Sequence, residues 1–307
     1  MKPSLLFVAG AGRSGSTLLG AMCGQVDGFV SVGELRHLWE RGFQRNELCG
    51  CGRPFRECPF WREMAARASI DRDLARYLRG LQRRVDRMWR IPQLARRRVE
   101  GSLRAAVAEY ARALEAVYAT VGDMAGAGVV VDSSKSPSHV FVLHAAGGFD
   151  VRVLHLVRDS RAVAFSWRRV RDRPEAPGQA MPRYLAARAA LEWDVMNAAA
   201  ERVRRLRIPY TRVRYEDLVR RPVDVVGAAL DTLGLPHGQL EFVVDGQVRL
   251  QPSHTVSGNP SRFETGTVTL RPDIEWRQWM SPGSRAVVTA LTWPLLRRYG
   301  YQGDVEP

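Results

Sequence analysis

Short apolar runs alternate along the chain with longer segments of helical periodicity. A continuous apolar run that ends at glycine, such as 4–9, is typical of a strand buried on both faces of a parallel sheet. Strands alternating with helices predict an α/β fold with a central parallel sheet. The predicted strands cover 4–9, 128–132, 151–157 and 209–214, and the predicted helices begin at 17 and cover 159–170, 183–206, 222–234 and 273–299.

The stretch 61–120 has a different character, because apolar residues recur there at three-to-four spacing among many arginines. This pattern predicts an inserted helical segment of two or three helices, interrupted at Pro92. Its arginines form either a solvated face or a surface for acidic groups. Segments rich in glycine and proline predict loops at 46–60 and 251–272. The apolar positions of the insert include Leu74, Leu78, Leu81, Val85 and Met88.

The length of 307 residues predicts a single domain, 1–307, with a sizeable core. No apolar run approaches about 18 residues, so we expect no membrane span. The N-terminus lacks a signal-peptide pattern, which makes a cytoplasmic protein the default expectation. The formal charge of +14 favours anionic partners. Among 46 basic residues only Lys2 and Lys135 are lysines, so Lys135 marks a position where an ammonium group is favoured over a guanidinium.

The glycine-rich loop after the first strand has the layout of a phosphate-binding loop. Gly10, Gly15 and Thr17 fit the pattern G-x-x-x-x-G-K-[ST], but Ser16 stands where that pattern requires lysine. Backbone N–H groups of such a loop point at an anion, and here Arg13 supplies the missing charge. The loop therefore predicts a phosphate site with no evident demand for a triphosphate. The alternative is a strand–helix turn without a ligand.

The segment Arg13–Leu18 resembles the 5′-phosphosulfate loop of bacterial sulfotransferases that use 3′-phosphoadenosine 5′-phosphosulfate (PAPS). The resemblance implies a P-loop-like three-layer fold and a sulfuryl transfer that leaves adenosine 3′,5′-bisphosphate (PAP). Arg158 at a strand end and Ser166 eight residues later match the family's 3′-phosphate motif. The donor-binding residues implied by the resemblance are Arg13, Ser14, Gly15, Ser16, Thr17, Leu18, Arg158, Ser166, Tyr215, Gly258 and Arg262.

Tyr215 belongs to a segment, Tyr-Glu-Asp-Leu, that resembles the family's adenine-contacting segment. Gly258 and Arg262 lie in a segment similar to the loop that closes over the 3′-phosphate. Two alternatives stay open. Tyr215 could be a core residue at a strand–helix junction, and Arg158 could form a structural salt bridge with Asp159 or Asp132.

The same resemblance implies the residues of the chemistry. Lys135, after a buried strand, is similar to the lysine that reaches the sulfuryl group, and Arg13 would help to stabilise the leaving phosphate. Glu34 resembles the glutamate of the Gly-Glu turn that deprotonates the acceptor hydroxyl. We expect burial to raise the pKa of Glu34 toward a useful range. His37 and His254 are the competing bases.

A salt bridge of Glu34 with Arg36 or Arg41 is the structural alternative for this carboxylate. The reaction needs no metal if arginine and lysine supply the charge, so we predict no metal cofactor. The acceptor is predicted to be a hydroxyl of a small molecule, carbohydrate, lipid or peptide. Its identity and the oligomeric state have no sequence signal.

Three of the four cysteines, Cys49, Cys51 and Cys58, lie close together in a glycine-rich segment. Such a cluster could bind zinc, but no fourth ligand stands at zinc-finger spacing. The alternative is a compact turn-rich loop with a redox-dependent disulfide.

Two other functions compete with sulfuryl transfer. A P-loop kinase is suggested by 129–132, which resembles a strand ending in a magnesium-binding carboxylate at Asp132, although Ser16 argues against it. A nucleic-acid-binding protein is suggested by the charge of +14. Because the arginines are spread along helices with little aromatic interleaving, we expect no nucleic-acid partner.

Overall fold

A parallel sheet lies at the centre of the protein. The computed structural model describes residues 2–96, 99–176, 178–244 and 246–302. Within these residues the sheet has five strands in the order β2-β3-β1-β4-β5, and all neighbouring pairs are parallel. The strands are β1 (Ser4–Ala9), β2 (Phe29–Gly33), β3 (Val129–Lys135), β4 (Val151–Val157) and β5 (Tyr210–Arg214).

Helices cover both faces of this sheet. Alternate residues of β1 enter two different cores, since Leu5 and Phe7 join one cluster while Leu6 and Val8 join the other. This burial on both faces confirms the expectation from the continuous apolar run. The helices are α1 (Ser16–Cys23), α2 (Pro59–Arg67), α3 (Arg72–Val85), α4 (Ile91–Leu94), α5 (Gly101–Ala125), α6 (Pro137–Ala146), α7 (Ser160–Arg168), α8 (Ala186–Arg202), α9 (Tyr215–Arg220), α10 (Pro222–Thr232), α11 (Glu275–Trp279) and α12 (Pro282–Arg298).

Helices α1 and α10 pack on one face of the sheet, and α5 and α6 pack on the other. The predicted three-layer α/β architecture is therefore confirmed. The helical insert contains α2 to α5, four helices among the described residues where two or three were predicted, and its residues 97 and 98 lie outside the described residues. On α3, Leu78 and Val85 are buried as expected, whereas Leu74 is exposed.

A buried carboxylate joins the insert to the sheet. Asp86, at the end of α3, accepts a hydrogen bond of 2.8 Å from Nε of Arg36 and contacts His139 and Ser138 of α6. A buried ion pair of this kind is costly to break from one side, because the remaining charge loses its partner. The insert is thereby fixed against Arg36, two residues beyond Glu34.

Some elements differ from the prediction. Strand β2 was not predicted, because its apolar residues are interrupted by Ser31 and amount to a very short run. A small antiparallel sheet was also missed, and its last strand lies inside the segment 251–272, which was predicted as loop. This sheet consists of β6 (Val243–Val244), β7 (Gln247–Leu250) and β8 (Gly266–Thr269).

Candidate functional site

Each of the five parallel strands delivers one predicted site residue to the same edge of the sheet. Gly10 follows β1, Glu34 follows β2, Lys135 is the last residue of β3, Arg158 follows β4 and Tyr215 follows β5. The carboxyl ends of parallel strands meet at one edge, and β1 lies between β3 and β4 there. This edge is where open α/β sheets bind their ligands.

The glycine-rich loop packs tightly into this edge. Backbone N–H of Gly10 donates to the carbonyl of Lys135 at 3.1 Å, and a side chain at Gly10 would overlap the carbonyl oxygen of Leu156. Gly15 has a φ of 95°, and a Cβ there would lie 2.5 Å from the ring of Tyr215. Helix α1 starts at the next residue, so its free N–H groups face the loop. A loop of this geometry leaves backbone donors available for an anion.

Arg13 carries the charge of this loop. Its guanidinium lies 4.9 Å above the Trp167 ring, and one terminal nitrogen donates to the sulfur of Met181 at 3.2 Å. Among the described residues, buried Nε and Nη1 of Arg13 and Oγ of Ser14 have no hydrogen-bond partner. Burial and the neighbouring Arg171 lower the pKa of Arg13 to about 10, so the side chain is still charged at pH 7. Buried unpaired donors around a cation are the arrangement expected of an anion site.

The backbone of Arg13 is also unusual, with a φ of 67° in the left-handed region that favours glycine. Lys135, facing the same loop, has a φ of 67° as well. Such conformations cost of order 1–3 kcal/mol each and are concentrated at functional sites. Both residues are ones that the sequence assigned to the chemistry.

Arg158 holds the other side of the glycine-rich loop. Its Nη1 donates to the carbonyl of Arg13 at 3.0 Å, its guanidinium lies 4.5 Å above the Tyr215 ring, and its Nη2 lies 2.8 Å from a carboxylate oxygen of Asp273. Within the described residues, buried Nε of Arg158 has no hydrogen-bond partner. Ser166 is buried two turns along α7. A second cationic position thus lies beside the first.

The structural alternative for Arg158 was a salt bridge with Asp159 or Asp132, and neither is observed. Asp159 instead pairs with Arg161 at 2.6 Å, while the carboxylate that meets Arg158 is Asp273. Asp273 lies more than a hundred residues further along the chain, in a segment between β8 and α11.

Asp132 does not have the surroundings of a magnesium ligand. One of its oxygens accepts a hydrogen bond of 2.6 Å from the Tyr118 hydroxyl. The other accepts from the backbone N–H groups of Ser134 at 2.8 Å and Leu35 at 3.4 Å. Because both oxygens are engaged in structural hydrogen bonds, the kinase alternative loses its carboxylate.

Glu34 and Lys135 form an ion pair at the carboxyl ends of β2 and β3. Glu34 is also 3.4 Å from Nε2 of His37. Burial raises the pKa of Glu34, but the charges of Lys135, His37 and Arg41 outweigh it and bring the pKa down to about 2. Our expectation of a raised pKa was wrong, because it included the burial and not the lysine that faces it. The alternative pairing with Arg36 is absent, since Arg36 pairs with Asp86.

The two competing bases lie in different surroundings. His37 contacts the predicted base itself, and burial lowers the pKa of His37 to about 3, so it is neutral at pH 7. His254 lies with the cysteines, its Nδ1 being 3.3 Å from Sγ of Cys58, and its ring stacks on Phe60. Of the two, His37 is the one in contact with Glu34.

The loop at 254–262 covers the beginning of α1. A Cβ on Gly258 would lie 3.4 Å from Oγ1 of Thr17. Arg262 is buried, and its terminal nitrogens donate to the carbonyls of Thr255 at 2.9 Å and Leu48 at 2.8 Å. Arg262 therefore joins two loops, and each of its terminal nitrogens makes a hydrogen bond within the protein.

The remaining predicted donor residues lie at the start of α1. Ser16 is buried at its first position. Leu18 is half-buried and packs against the core beneath the helix. Sequence reasoning missed Trp167 and Asp273. Trp167 follows directly after Ser166 and could have been considered, whereas nothing in the sequence connects Asp273 with Arg158.

Comparison with known proteins identifies the family. Residues 3–239 match the family model described as the sulfotransferase family. The chain belongs to this family. The match includes every strand of the central sheet, with the site residues from Gly10 to Tyr215, and ends before the loop that carries Gly258 and Arg262. Family membership supports sulfuryl transfer as the general reaction, and it makes the chain a transferase of the EC 2.8.2 type.

Two solved sulfotransferase domains have a similar fold. One is the sulfotransferase domain from the Synechococcus PCC 7002 olefin synthase, with 22% identity, 96% of this chain and 95% of that chain covered, and a TM-score of 0.52. The other is the sulfotransferase domain from the curacin biosynthetic pathway, with 17% identity, coverages of 95% and 97%, and a TM-score of 0.51. Both support the P-loop-like sulfotransferase fold. No curated protein sequence matches the chain.

Across the part of this sulfotransferase that the structure describes, no helix combines the length and apolar character needed to cross a membrane.

Proposed function

We propose that the protein transfers the sulfuryl group of PAPS to a hydroxyl acceptor at the carboxyl edge of the sheet. The observation that supports this proposal is the pair of neighbouring cationic positions at Arg13 and Arg158, with buried donors that have no hydrogen-bond partner among the described residues. Two such positions fit a nucleotide with phosphate groups at both the 5′ and 3′ carbons. The sulfotransferase family match supports the sulfuryl group as the one transferred.

In this proposal the glycine-rich loop binds the 5′-phosphosulfate. Backbone N–H groups at the start of α1, Oγ of Ser14 and the guanidinium of Arg13 donate to its oxygens. Arg158 and Ser166 bind the 3′-phosphate, and the Tyr215 ring contacts the adenine. Asp273 now pairs with Arg158, so we expect the 3′-phosphate to share or displace that carboxylate.

The chemistry is assigned to Glu34 and Lys135. The donor supplies the sulfuryl group, whose bond to the phosphate oxygen breaks as the acceptor oxygen attacks in line. Lys135 turns toward the charge that grows on the leaving phosphate, and Arg13 assists it. Glu34 takes the proton of the acceptor hydroxyl. When Lys135 leaves Glu34, the burial of Glu34 is less opposed, so its pKa rises and the carboxylate becomes a stronger base.

The acceptor is proposed to be a hydroxyl of a small molecule, carbohydrate, lipid or peptide. Lys135 pairs with one carboxylate oxygen of Glu34, and His37, which is neutral at pH 7, lies beside the other. No feature of the described residues favours one of these acceptor classes.

Calorimetric titration tests the two-phosphate assignment. We expect PAP to bind in the absence of magnesium and to bind more tightly than adenosine 5′-phosphate, which lacks the 3′-phosphate. Arg158→Met should weaken PAP binding by about 10- to 100-fold, the effect of losing charge-assisted hydrogen bonds. It should weaken adenosine 5′-phosphate binding clearly less, because that ligand is affected only through the lost hydrogen bond to the carbonyl of Arg13.

Arg168→Met is the matched control, because Arg168 lies on α7 near Ser166 but is exposed. It should leave both affinities unchanged. An equal loss of affinity for PAP and adenosine 5′-phosphate in Arg158→Met would contradict the 3′-phosphate assignment. Binding of magnesium–ATP in preference to PAP would overturn the sulfotransferase proposal in favour of a kinase.

A further inference from the structure

Three cysteines and a histidine meet at one point outside the proposed donor site. Cys49, Cys51 and Cys58 come from a single loop, and His254 comes from a segment 196 residues beyond Cys58. The three sulfurs and one ring nitrogen all lie within 4.8 Å of one another. All three cysteines are free thiols. His254 is therefore a fourth ligand that the fold brings to the three cysteines and that the sequence spacing did not reveal.

The distances between these atoms fit a tetrahedron around one ion. Sγ of Cys51 and Sγ of Cys58 are 3.7 Å apart, and Nδ1 of His254 lies 3.3 Å from Cys58 and 3.7 Å from Cys49. Zinc binds sulfur at about 2.3 Å and imidazole nitrogen at about 2.0–2.1 Å, so a tetrahedron separates two sulfurs by about 3.8 Å and sulfur from nitrogen by about 3.5 Å. A disulfide would need the sulfurs at about 2.05 Å.

The surrounding backbone prepares the ligands. A tight turn closes when N–H of Gly52 donates to the carbonyl of Cys49 at 2.8 Å. Backbone groups of Cys51 and Trp61 hydrogen-bond the sulfurs of Cys49 and Cys58, respectively. Hydrogen bonds of this kind orient the side chains that would bind the ion.

The histidine is held in place as well. Its ring stacks on Phe60 with centroids 4.7 Å apart and planes at 1°, which fixes the direction of Nδ1. Gly50 lies so close to the chain on either side of His254 that a side chain there would overlap the Thr255 hydroxyl. N–H of Gly50 donates to the carbonyl of Thr255 at 2.9 Å. The two segments are therefore bound to each other at the position of the four ligands.

We propose that Cys49, Cys51, Cys58 and His254 bind a structural zinc ion. Three thiolates and one imidazole are a donor set of structural zinc sites, and four protein ligands leave no coordination position open for a substrate. An iron–sulfur cluster would divide the four ligands between two or more irons, and ligands of different irons lie farther apart than ligands of one ion. This site is separate from the prediction that the reaction needs no metal. Among the described residues, the side-chain contacts of the four ligand atoms are with one another and not with Glu34, Lys135 or Arg13.

The ion would fix the loop that covers the beginning of α1. Beyond His254, the carbonyl of Ser257 accepts from N–H of Glu34 at 3.2 Å, and N–H of Asn259 donates to Oγ1 of Thr17 at 3.1 Å. Joining 254–259 to the cysteine loop holds both contacts in place. Loss of the ion should therefore raise amide hydrogen exchange in 253–263 before it affects the central sheet.

Metal analysis of the full-length protein tests the proposal. The protein is expressed in zinc-supplemented medium and purified by gel filtration without chelator. We then expect about one zinc ion per chain by inductively coupled plasma mass spectrometry. Cobalt exchanged into the site should show the charge-transfer bands and intense visible bands of tetrahedral thiolate coordination. Zinc below about 0.1 per chain, with no such cobalt spectrum, would overturn the proposal. A native mass lower by two hydrogens would do so too, because it would indicate a disulfide.

Single substitutions identify the ligands. Cys51→Ser and His254→Asn should lower bound zinc at least about tenfold. Cys23→Ala and His237→Asn are the matched controls, and both should keep full zinc occupancy. Cys23 is the last residue of α1 and is buried in the core, and His237 pairs with Asp231.

Full zinc occupancy in both ligand variants would contradict the assignment. If a ligand variant does not fold, the cobalt spectrum of the unaltered protein still decides the question. Counting thiols with a chromogenic reagent before and after chelation gives a second measurement. Chelation should expose three thiols, and no change would count against the site.

Discussion

Glu34→Gln should lower kcat by about 10³-fold, within the range of 10²–10⁴ that general bases contribute. The amide keeps the size of the side chain and can still accept a hydrogen bond from Lys135, but it cannot take a proton from the acceptor. PAP affinity, measured by calorimetry, should stay within about threefold because Glu34 faces the acceptor side of the loop. Single-turnover assays with radiolabelled donor would measure the chemical step directly.

The matched control is Glu40→Gln. Glu40 lies on the next helical turn of the chain and pairs with Arg45 and Arg79 near the surface. Its loss should leave kcat within about twofold, as is usual for surface ion pairs. A Glu34→Gln variant that keeps near-normal turnover would show that Glu34 is not the base. His37, whose ring is held neutral beside Glu34, would then be the first candidate to replace it.

Lys135→Met should lower kcat by about 10²–10³-fold, the cost of removing one positioned donor to a developing negative charge. It should also change the pH profile. With the lysine gone, burial acts on Glu34 with less opposition, so its pKa rises from about 2 toward or above the ordinary range. The acid limb of kcat/KM, which reports the free enzyme, should therefore move to higher pH in the variant.

Lys2→Met controls for the loss of a lysine, because Lys2 is exposed and pairs with Glu115 on the surface. Its kcat and its pH profile should match those of the unaltered protein. An acid limb that stays in place in Lys135→Met would contradict the role given to the ion pair. Unaltered turnover in the same variant would remove Lys135 from the chemistry.

The candidate site could be proposed from the sequence because strand ends can be recognised one strand at a time. Gly10, Lys135, Arg158 and Tyr215 each lie at or shortly after the end of a predicted strand, and parallel strands bring such positions to one edge. Glu34 was found through its resemblance to a family turn, although β2 itself was not predicted. Local patterns thus predicted four of the five strands of the central sheet and most of the helices around it, but not β2, α6 or α9.

What the sequence could not predict depends on contacts between distant segments. The pKa of Glu34 is lowered by Lys135, which is 101 residues away, and a prediction based on burial had the wrong sign. Arg158 meets Asp273 rather than a neighbouring aspartate. His254 completes the cysteine cluster from the other end of the chain, where no spacing rule would find it. Such pairings follow from the tertiary fold, and they decide charge and coordination.

A crystal structure of the protein with PAP is the most direct test of the account. We predict that the 5′-phosphate lies within hydrogen-bond distance of the backbone N–H groups from Ser14 to Thr17. The 3′-phosphate should contact Arg158 and Ser166, with Glu34 and Lys135 facing the 5′-phosphate. PAP bound in the reverse orientation, or away from the carboxyl edge of the sheet, would contradict it.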